Sequence, residues 1–197
     1  MIYELKGVTK TYKNNKILDI KELQIVDGEF LMIIAKSGFG KTTLLKILGG
    51  LIKPTKGALY FRGDEVKKQY DIRKQVGFVL QDFCLIEHIT VNKNLKLICS
   101  NDDEIKEILD KLGILKLLNQ KVKNLSGGEK QRVAIARSLL SGHDVILADE
   151  PTGNLDTETT YEIMELFKEL NDNGMTIVMV THDLTLLKYA TNVLKLD

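Results

Sequence analysis

The stretch IIAKSGFGKTTLL, residues 33–45, runs from apolar residues through a glycine-rich loop into leucines at helical spacing. Such a loop binds phosphate because consecutive backbone N–H groups face a concavity at the start of a helix, where the helix dipole favours negative charge. Gly38 and Gly40 stand where the backbone must come closest to phosphate oxygens. Lys41 can reach the β- and γ-phosphates, and the Thr42 hydroxyl can bind Mg²⁺. The stretch therefore predicts a strand, a phosphate-binding loop and a helix, in that order.

Two residues of this loop depart from the usual pattern. Ala35 occupies the position of the first glycine, where alanine costs about 1–2 kcal/mol only if the backbone is left-handed. Phe39 replaces a small residue and keeps its backbone N–H, but its ring must lie near the triphosphate or against a facing subunit. Taken alone, the loop leaves a second interpretation open, a glycine turn that only joins a strand to a helix.

The segments on either side of the loop predict an α/β fold. Alternating and β-branched apolar residues predict strands in 1–35 and a hairpin arm in 57–66, and VGFVLQ predicts a strand that ends at Gln81. The compact apolar runs DVILAD and TIVMVT flank an amphipathic helix within 157–170, which favours a parallel sheet buried on both faces. A short helical tail is expected after the last of these strands.

Residues 82–123 differ from the rest of the chain in the pattern of their apolar residues. NDDEIKEILDKLGILKLL offers Asn101 as an N-cap, acidic residues in the first turn and apolar residues at helical spacing, so it predicts an amphipathic helix. We therefore expect one domain over residues 1–197. Its core would comprise 1–81 and 124–197, and a mainly helical lobe would occupy about 82–123.

Composition narrows the possible functions. The 197 residues include 28 Lys and Arg against 27 Asp and Glu, and the net charge of +1 gives no global electrostatic reason to expect a nucleic-acid partner. Cys84 and Cys99 match neither a zinc pair nor a redox pair. The N-terminus has no apolar signal core, and the longest apolar run, residues 30–35, is far shorter than the ~20 residues that cross a bilayer. A membrane role would therefore require another chain.

Two stretches in the second half of the chain resemble a known family. LSGGEKQRVAIARSLL, residues 125–140, and DVILADEPTGNLD, residues 144–156, are similar to the nucleotide-binding domain of ATP-binding cassette (ABC) transporters, and matching motifs extend over nearly the whole chain. The resemblance implies a P-loop NTPase fold with a mainly parallel core sheet, an N-terminal antiparallel β layer and a helical lobe. It also implies an Mg²⁺-dependent ATPase that dimerises head to tail with a second copy of itself around two ATP molecules.

By this resemblance, residues from both copies hold each nucleotide. Ser126, Gly127 and Gly128 start a helix with a hydroxyl and two unobstructed amides, a second anion-binding terminus that in the family closes over the partner's ATP. Asp156 matches the loop that communicates between the two sites. Tyr12 matches the aromatic residue that stacks on adenine, although an aromatic residue in such a strand is often only packing. The nucleotide-binding residues implied are Tyr12, Ser37, Gly38, Phe39, Gly40, Lys41, Thr42, Thr43, Ser126, Gly127, Gly128, Glu129 and Asp156.

The same resemblance assigns the chemistry. Glu150 matches the general base that polarises the attacking water, and His182 matches the histidine that contacts the γ-phosphate. Without the resemblance, an isolated acidic pair, glutamine or histidine would more simply be a surface or packing residue. The implied catalytic residues are Glu150, His182, Lys41 and Gln81, and the implied Mg²⁺ residues are Thr42, Gln81 and Asp149.

The motifs LGGL and EPTGNLD look most like those of the cassettes that power lipoprotein release, macrolide export and antimicrobial-peptide resistance. We therefore expect a peripheral subunit at the cytoplasmic face of the cell membrane that drives export or extraction of a peptide, lipid or drug through a membrane-embedded permease. Residues 83–89 are the candidate contact with that permease. Two alternatives stay open: a cassette ATPase that acts on DNA or ribosomes, and a nucleotide-binding regulatory subunit with little turnover.

Overall fold

The computed structural model describes residues 1–13, 15–35 and 39–196. An antiparallel sheet covers one side of the molecule, with the strand order β2-β1-β4-β5. Each of its neighbouring pairs is antiparallel, which confirms the predicted N-terminal β layer. The strands of this sheet are β1 (Tyr3–Tyr12), β2 (Asn15–Ile25), β4 (Lys56–Phe61) and β5 (Asp64–Glu65).

A parallel sheet forms the centre of the fold, with the strand order β6-β7-β8-β3-β9. All five residues of β8 are buried, as expected for a strand covered on both faces. Along β3 the side chains alternate between two apolar clusters, since Phe30 and Met32 join one cluster and Leu31 and Ile33 the other. The strands are β3 (Phe30–Ala35), β6 (Gly77–Leu80), β7 (Val145–Asp149), β8 (Thr176–Val180) and β9 (Asn192–Leu196).

Helices cover both faces of the parallel sheet. The apolar side chains of α1 and α2 share a cluster with the antiparallel sheet, whereas those of α3 to α6 fill the cluster on the opposite face. The predicted N-cap Asn101 is confirmed, because its side chain accepts hydrogen bonds from the N–H groups of Asp103 and Glu104. The helices are α1 (Lys41–Leu48), α2 (Gln69–Arg73), α3 (Val91–Leu95), α4 (Asp102–Lys111), α5 (Gly127–Leu139) and α6 (Thr157–Asp172).

The end of the chain differs from the expected helical tail. A 3₁₀ segment, Leu184–Tyr189, is followed by β9, which pairs with β3 at the edge of the parallel sheet. The prediction was wrong for β9 because its short run, NVLKL, follows directly on a segment with helical spacing. The strand predicted to end at Gln81 ends one residue earlier, at Leu80. Among the described residues, no helix combines the length and the apolar character needed to cross a membrane.

Candidate active site

Three parallel strands end side by side and bring polar residues to one edge of the sheet. Leu80 of β6 is in register with Asp149 of β7, which in turn is in register with Val180 of β8. Gln81, Glu150 and His182 lie one or two residues beyond these positions. Because the carboxyl ends of parallel strands lie at the same edge, residues far apart in sequence meet there.

Helix α1 begins at the same edge with an open N-terminus. Its N-cap, Gly40, has φ of 81° and no side chain to cap the helix, and the first turn contains no acidic residue. A Cβ at Gly40 would lie 2.4 Å from the carbonyl oxygen of Ile17, so both the backbone conformation and the space require glycine. The positive end of the helix dipole is therefore not neutralised by the helix's own residues, which suits an anion.

The lysine of the loop lies over the end of β3. Lys41 Nζ donates a 2.7 Å hydrogen bond to the carbonyl oxygen of Ala35. Ala35 is the last residue of β3 and pairs with Leu196, so its backbone is extended and alanine carries no left-handed strain there. The departure from glycine at this position is therefore compatible with the loop.

A hydroxyl and a carboxylate meet between α1 and β7. Thr42 Oγ1 donates a hydrogen bond of 3.2 Å to Asp149 Oδ1. Burial raises the pKa of Asp149 above its ordinary value of 3.8, and the hydrogen bond from Thr42 acts in the opposite direction. The hydrogen bond thus brings together two of the residues that the sequence suggests for Mg²⁺.

The oxygen atoms of this pair are compatible with Mg²⁺. Within the ranges that the structure describes, no group of three or more His, Cys, Asp or Glu side chains could hold a metal ion alone. Mg²⁺ needs no such group, because it is commonly held by one or two protein oxygens together with water and phosphate oxygens. Thr42 and Asp149 therefore suit a magnesium ion that arrives with a nucleotide.

Glu150 is held in an unusual backbone conformation at the end of β7. Its φ is 47°, in the left-handed region, and its N–H donates a 3.0 Å hydrogen bond to the carbonyl oxygen of Val180. The carboxylate atom Oε2 lies 2.8 Å from His182 Nδ1 and accepts a 3.3 Å hydrogen bond from the His182 N–H. The Glu150 side chain is only 18% exposed, whereas that of His182 is 71% exposed. Glu150 thus positions the histidine ring at the surface.

Gln81 makes its contacts with the loop after β7. Its Nε2 donates to Asn154 Oδ1 at 3.3 Å, and Asn154 Nδ2 donates to the Gln81 carbonyl oxygen at 3.2 Å. These hydrogen bonds hold Gln81 against the loop after β7 and involve neither Thr42 nor Asp149. Sequence reasoning missed Asn154, although its place two residues before Asp156 was an available signal.

A surface cavity of about 360 Å³ is lined both by the start of α1 and by Glu150, which follows β7. Phe39 contributes to its wall and remains 43% exposed. Ser37 and Gly38, which the sequence assigns to the phosphate loop, lie outside the described residues. The cavity is lined by Ile17, Phe39, Gly40, Lys41, Thr42, Thr43 and Glu150.

The serine-glycine segment lies at a different helix start. Ser126 caps α5, and its Oγ accepts from the Glu129 N–H at 3.3 Å while the Glu129 carboxylate accepts from the Ser126 N–H at 2.9 Å. A Cβ at Gly127 would meet the Leu155 side chain at 3.1 Å, so this helix start packs on the loop that follows β7. None of the residues from Ser126 to Glu129 lines the cavity of Lys41.

Two further predicted residues lie outside the wall of the Lys41 cavity. Asp156 caps α6 by accepting hydrogen bonds from the Thr159 N–H and hydroxyl, and the backbone bond from Thr159 lowers the pKa of this carboxyl. Tyr12 is the last residue of β1 and is 47% exposed, and the Lys10 ammonium lies 5.1 Å from its ring centroid. Neither residue lines the cavity of Lys41.

A glycine-capped helix start beside strand-end carboxylates is typical of P-loop nucleotide-binding proteins. Comparison with known proteins makes this assignment specific, since a sequence model of the ABC transporter family matches residues 18–153. The chain belongs to the ABC transporter family and is an ATP-binding, ATP-hydrolysing subunit of that family.

Individual relatives agree with this assignment. An uncharacterized ABC transporter ATP-binding protein of Methanocaldococcus jannaschii is 41% identical over 98% of this chain and 94% of its own length. The macrolide export ATP-binding/permease protein MacB of Wolinella succinogenes is 37% identical over 99% of this chain, which spans 33% of MacB. A solved dimeric structure of the ATP-binding cassette MJ0796, in a post-hydrolysis state bound to ADP and Pi, superposes with a TM-score of 0.87 at 36% identity, covering 100% of this chain and 94% of that one.

Proposed function

We propose that this protein hydrolyses Mg·ATP at an interface between two copies of itself and thereby drives export or extraction of a peptide, lipid or drug through a separate membrane permease. The observation that carries the proposal is a single cavity. Lys41 and Thr42 of helix α1 line it together with Glu150, the residue that follows β7. The similarity to MacB, named for macrolide export, supports the direction of transport. We also propose that residues 1–197 act as one domain, with 82–123 as its helical lobe.

We propose that the phosphate groups bind at the start of α1. The open N-terminus and the ammonium of Lys41 offer positive charge in the cavity, and the N–H groups of Gly40 and Thr43 belong to the same helix start. Thr42 and Asp149 would hold Mg²⁺. When bound, the ion would supply charge that stabilises the phosphoryl oxygens during transfer.

Glu150 is the proposed general base. Its carboxylate lines the cavity beside Lys41 and contacts His182, so one side chain can both orient a water molecule and position the imidazole. His182 is proposed to contact the γ-phosphate. Gln81 and Asp156 are proposed to couple nucleotide binding to neighbouring segments. Gln81 contacts the loop that follows Glu150, and Asp156 lies where this loop ends and α6 begins.

The separation of the two helix starts is the argument for a second copy. Ser126, Gly127 and Gly128 do not line the cavity of Lys41, so their proposed contact with ATP requires a second copy. In a symmetric dimer, the start of α5 in each copy would face the Lys41 cavity of the other copy. The solved MJ0796 cassette, which is dimeric and bound to ADP and Pi, supports a dimer. Tyr12, exposed at the end of β1, is proposed to stack on adenine at the edge of this interface.

The proposed permease contact lies just beyond Gln81. Cys84 and Ile86 are exposed there, the isoleucine at 49%, in a segment that follows directly on the catalytic edge. A partner bound to 83–89 would be within a few residues of Gln81 and could respond to the nucleotide. We therefore propose that the protein lies at the cytoplasmic face of the cell membrane.

The test compares wild type with Glu150→Gln and, as a matched control, Glu169→Gln, which makes the same change on the exposed face of α6. Removing a general base costs about 10²- to 10⁴-fold, so Glu150→Gln should lose at least 100-fold in kcat and form a stable dimer with Mg·ATP. Glu169→Gln should hydrolyse ATP at the wild-type rate. The measurements are steady-state phosphate release and light scattering after size-exclusion chromatography.

Two results would contradict the proposal. A wild type as slow as Glu150→Gln would favour the regulatory alternative. A Glu150→Gln variant that stays monomeric in saturating Mg·ATP would exclude the composite site.

A further inference from the structure

The turn after β6 contains two consecutive residues in left-handed backbone conformation. Phe83 has φ of 57° and Cys84 has φ of 48°. This conformation is unfavourable for residues with a side chain, because the Cβ atom crowds the following carbonyl oxygen. Two such residues in a row persist only where the surrounding structure holds them.

The group that holds this turn is the guanidinium of Arg137. Its Nη2 donates a 3.0 Å hydrogen bond to the Phe83 carbonyl oxygen, and its Nη1 donates to the carbonyl oxygen of Cys84. The planar guanidinium presents two donors in a fixed fork, so one side chain can hold two adjacent carbonyls at once. Arg137 lies in the last turn of α5 and is partly buried.

The turn held in this way begins at the catalytic edge. The Phe83 N–H donates a 2.9 Å hydrogen bond to the carbonyl oxygen of Leu80, the last residue of β6, and this bond closes a turn around Gln81. The Gln81 side chain is paired with Asn154 in the loop after Glu150. Fixing Phe83 therefore restricts where Gln81 can lie.

Arg137 also links this turn to a distant helix start. Helix α5 has the Ser126 capping box at its beginning and Arg137 near its end. At 1.5 Å per residue, the eleven residue steps from the N-cap Ser126 to Arg137 correspond to roughly 16 Å along one continuous helix. A displacement of the Ser126 end would therefore move the donor group that holds Phe83 and Cys84.

We infer that Arg137 is a positioning residue for ATP hydrolysis, whose guanidinium holds the left-handed turn Phe83–Cys84, keeps Gln81 at the catalytic edge and ties both to the helix that starts at Ser126. This inference rests on the proposed function, because it assumes that Gln81 acts in turnover. Arg137 itself lies outside the cavity and touches backbone carbonyls.

The experiment measures kcat and KM for Mg·ATP in Arg137→Met and Arg137→Lys, each alone and combined with Cys84→Gly. Arg137→Lys keeps the charge and the stem, so it remains informative if Arg137→Met folds poorly. We expect kcat to fall about 10-fold with methionine and about 3-fold with lysine, with KM changed less than about 2-fold, because hydrogen bonds from a charged donor are lost outside the ATP cavity. Assays run well below the melting temperature of every variant.

Rescue by glycine distinguishes positioning from general packing. Glycine adopts the left-handed conformation without strain, so in the Cys84→Gly background the loss caused by Arg137→Met should shrink to about 3-fold or less. The matched control is Arg132→Met, which removes a charge from the same helix but contacts Leu112 and Glu162 instead. Cys84→Gly should not change the effect of Arg132→Met.

The outcomes separate this inference from the proposed function. An inactive wild type would contradict the proposed function. An active wild type in which Arg137→Met and Arg137→Lys keep full kcat, lose activity through KM, or are not rescued by Cys84→Gly would overturn the role of Arg137 and leave the proposed function standing.

Discussion

Helices α1 and α5 both begin in a motif assigned to phosphate, yet their first turns are built differently. At α1 the N-cap is Gly40, no side chain caps the helix, and no acidic residue lies in the first turn. At α5 the side chains of Ser126 and Glu129 form a capping box that satisfies two backbone N–H groups. One helix start is open, and the other is closed by its own residues.

The difference indicates how the two helix starts share the binding of one nucleotide. The start of α1 lies in a cavity with Lys41 and has no side-chain cap, so we expect most of the affinity for ATP to reside there. The start of α5 is stable without a ligand and already carries the negative charge of Glu129. We therefore expect the start of α5 to contribute to dimer formation and to ATP turnover, and not to the affinity of a single copy for ATP.

The largest effect is expected for Gly40→Ala. Alanine would adopt φ of 81° at a cost of about 1–2 kcal/mol, and its Cβ would lie 2.4 Å from a backbone oxygen that cannot move freely. The start of α1 should shift, and the affinity for ATP should fall by roughly 100-fold, equivalent to about 2.7 kcal/mol. Isothermal titration calorimetry with a non-hydrolysable ATP analogue measures this loss.

Gly174→Ala is the matched control for backbone strain. Gly174 has φ of 94°, but a Cβ there would meet nothing within 4 Å. This variant should lower the melting temperature and bind the analogue with wild-type affinity. Equal affinity in Gly40→Ala and wild type would show that the open start of α1 is not the phosphate site.

An intermediate effect is expected for Ser126→Ala. Loss of an N-cap costs about 1 kcal/mol of stability, and loss of the hydroxyl from the partner's ATP should lower kcat by roughly 10-fold. The affinity of a single copy for the analogue should not change. Steady-state ATPase assays, calorimetry and thermal unfolding measure the three quantities.

Asn101→Ala provides the control for this cap. Asn101 caps α4 with a 3.0 Å bond from the Asp103 N–H, far from the strand-end residues in sequence. Its removal should cost a similar amount of stability and leave the ATPase rate unchanged. If Asn101→Ala lowered the rate as much as Ser126→Ala, the effect at Ser126 would be one of stability alone.

The sequence carried enough information to predict the open helix start and the sheet that presents it. The continuous apolar runs of β7 and β8 indicate strands buried on both faces, and the helical spacing after Lys41 indicates α1. The N-cap Asn101 was equally visible, because capping depends on residues within one turn. These features are local, so a single stretch of sequence specifies each of them.

Contacts between distant segments could not be read from the sequence. The pairing of Gln81 with Asn154 spans 73 residues, and the bonds from Arg137 to the Phe83–Cys84 turn span more than 50. Strand β9 was missed for a related reason, since its position depends on pairing with β3. Such contacts depend on which distant segments are neighbours in the fold. This arrangement leaves no periodic pattern in the sequence.

The smallest effect is expected for Asp149, the carboxylate that contacts the first turn of α1. Glu129 is part of α5, whereas the carboxylate beside α1 is Asp149 of β7, which accepts from Thr42. Burial raises the pKa of Asp149, so the folded chain keeps this proton at pH values where the unfolded chain has released it. Stability therefore falls as the pH rises from 3.8 through the raised pKa, and above that pKa the full cost of the buried charge is present.

Asp149→Asn should accordingly stabilise the protein when nucleotide and metal are absent. The amide can still accept from Thr42 and carries no charge, and each kcal/mol gained raises the melting temperature by roughly 2–4 °C in a chain of this size. Thermal unfolding in a chelator should show this increase at pH values above the raised pKa of Asp149 and a smaller one as the pH falls toward 3.8, where the folded wild type keeps the proton on Asp149. Asp110→Asn, on the exposed face of α4, should show no such increase. If Asp149→Asn were less stable than wild type at pH 7, the carboxylate would be stabilising the start of α1 as a charge partner, and this start would be closed like that of α5.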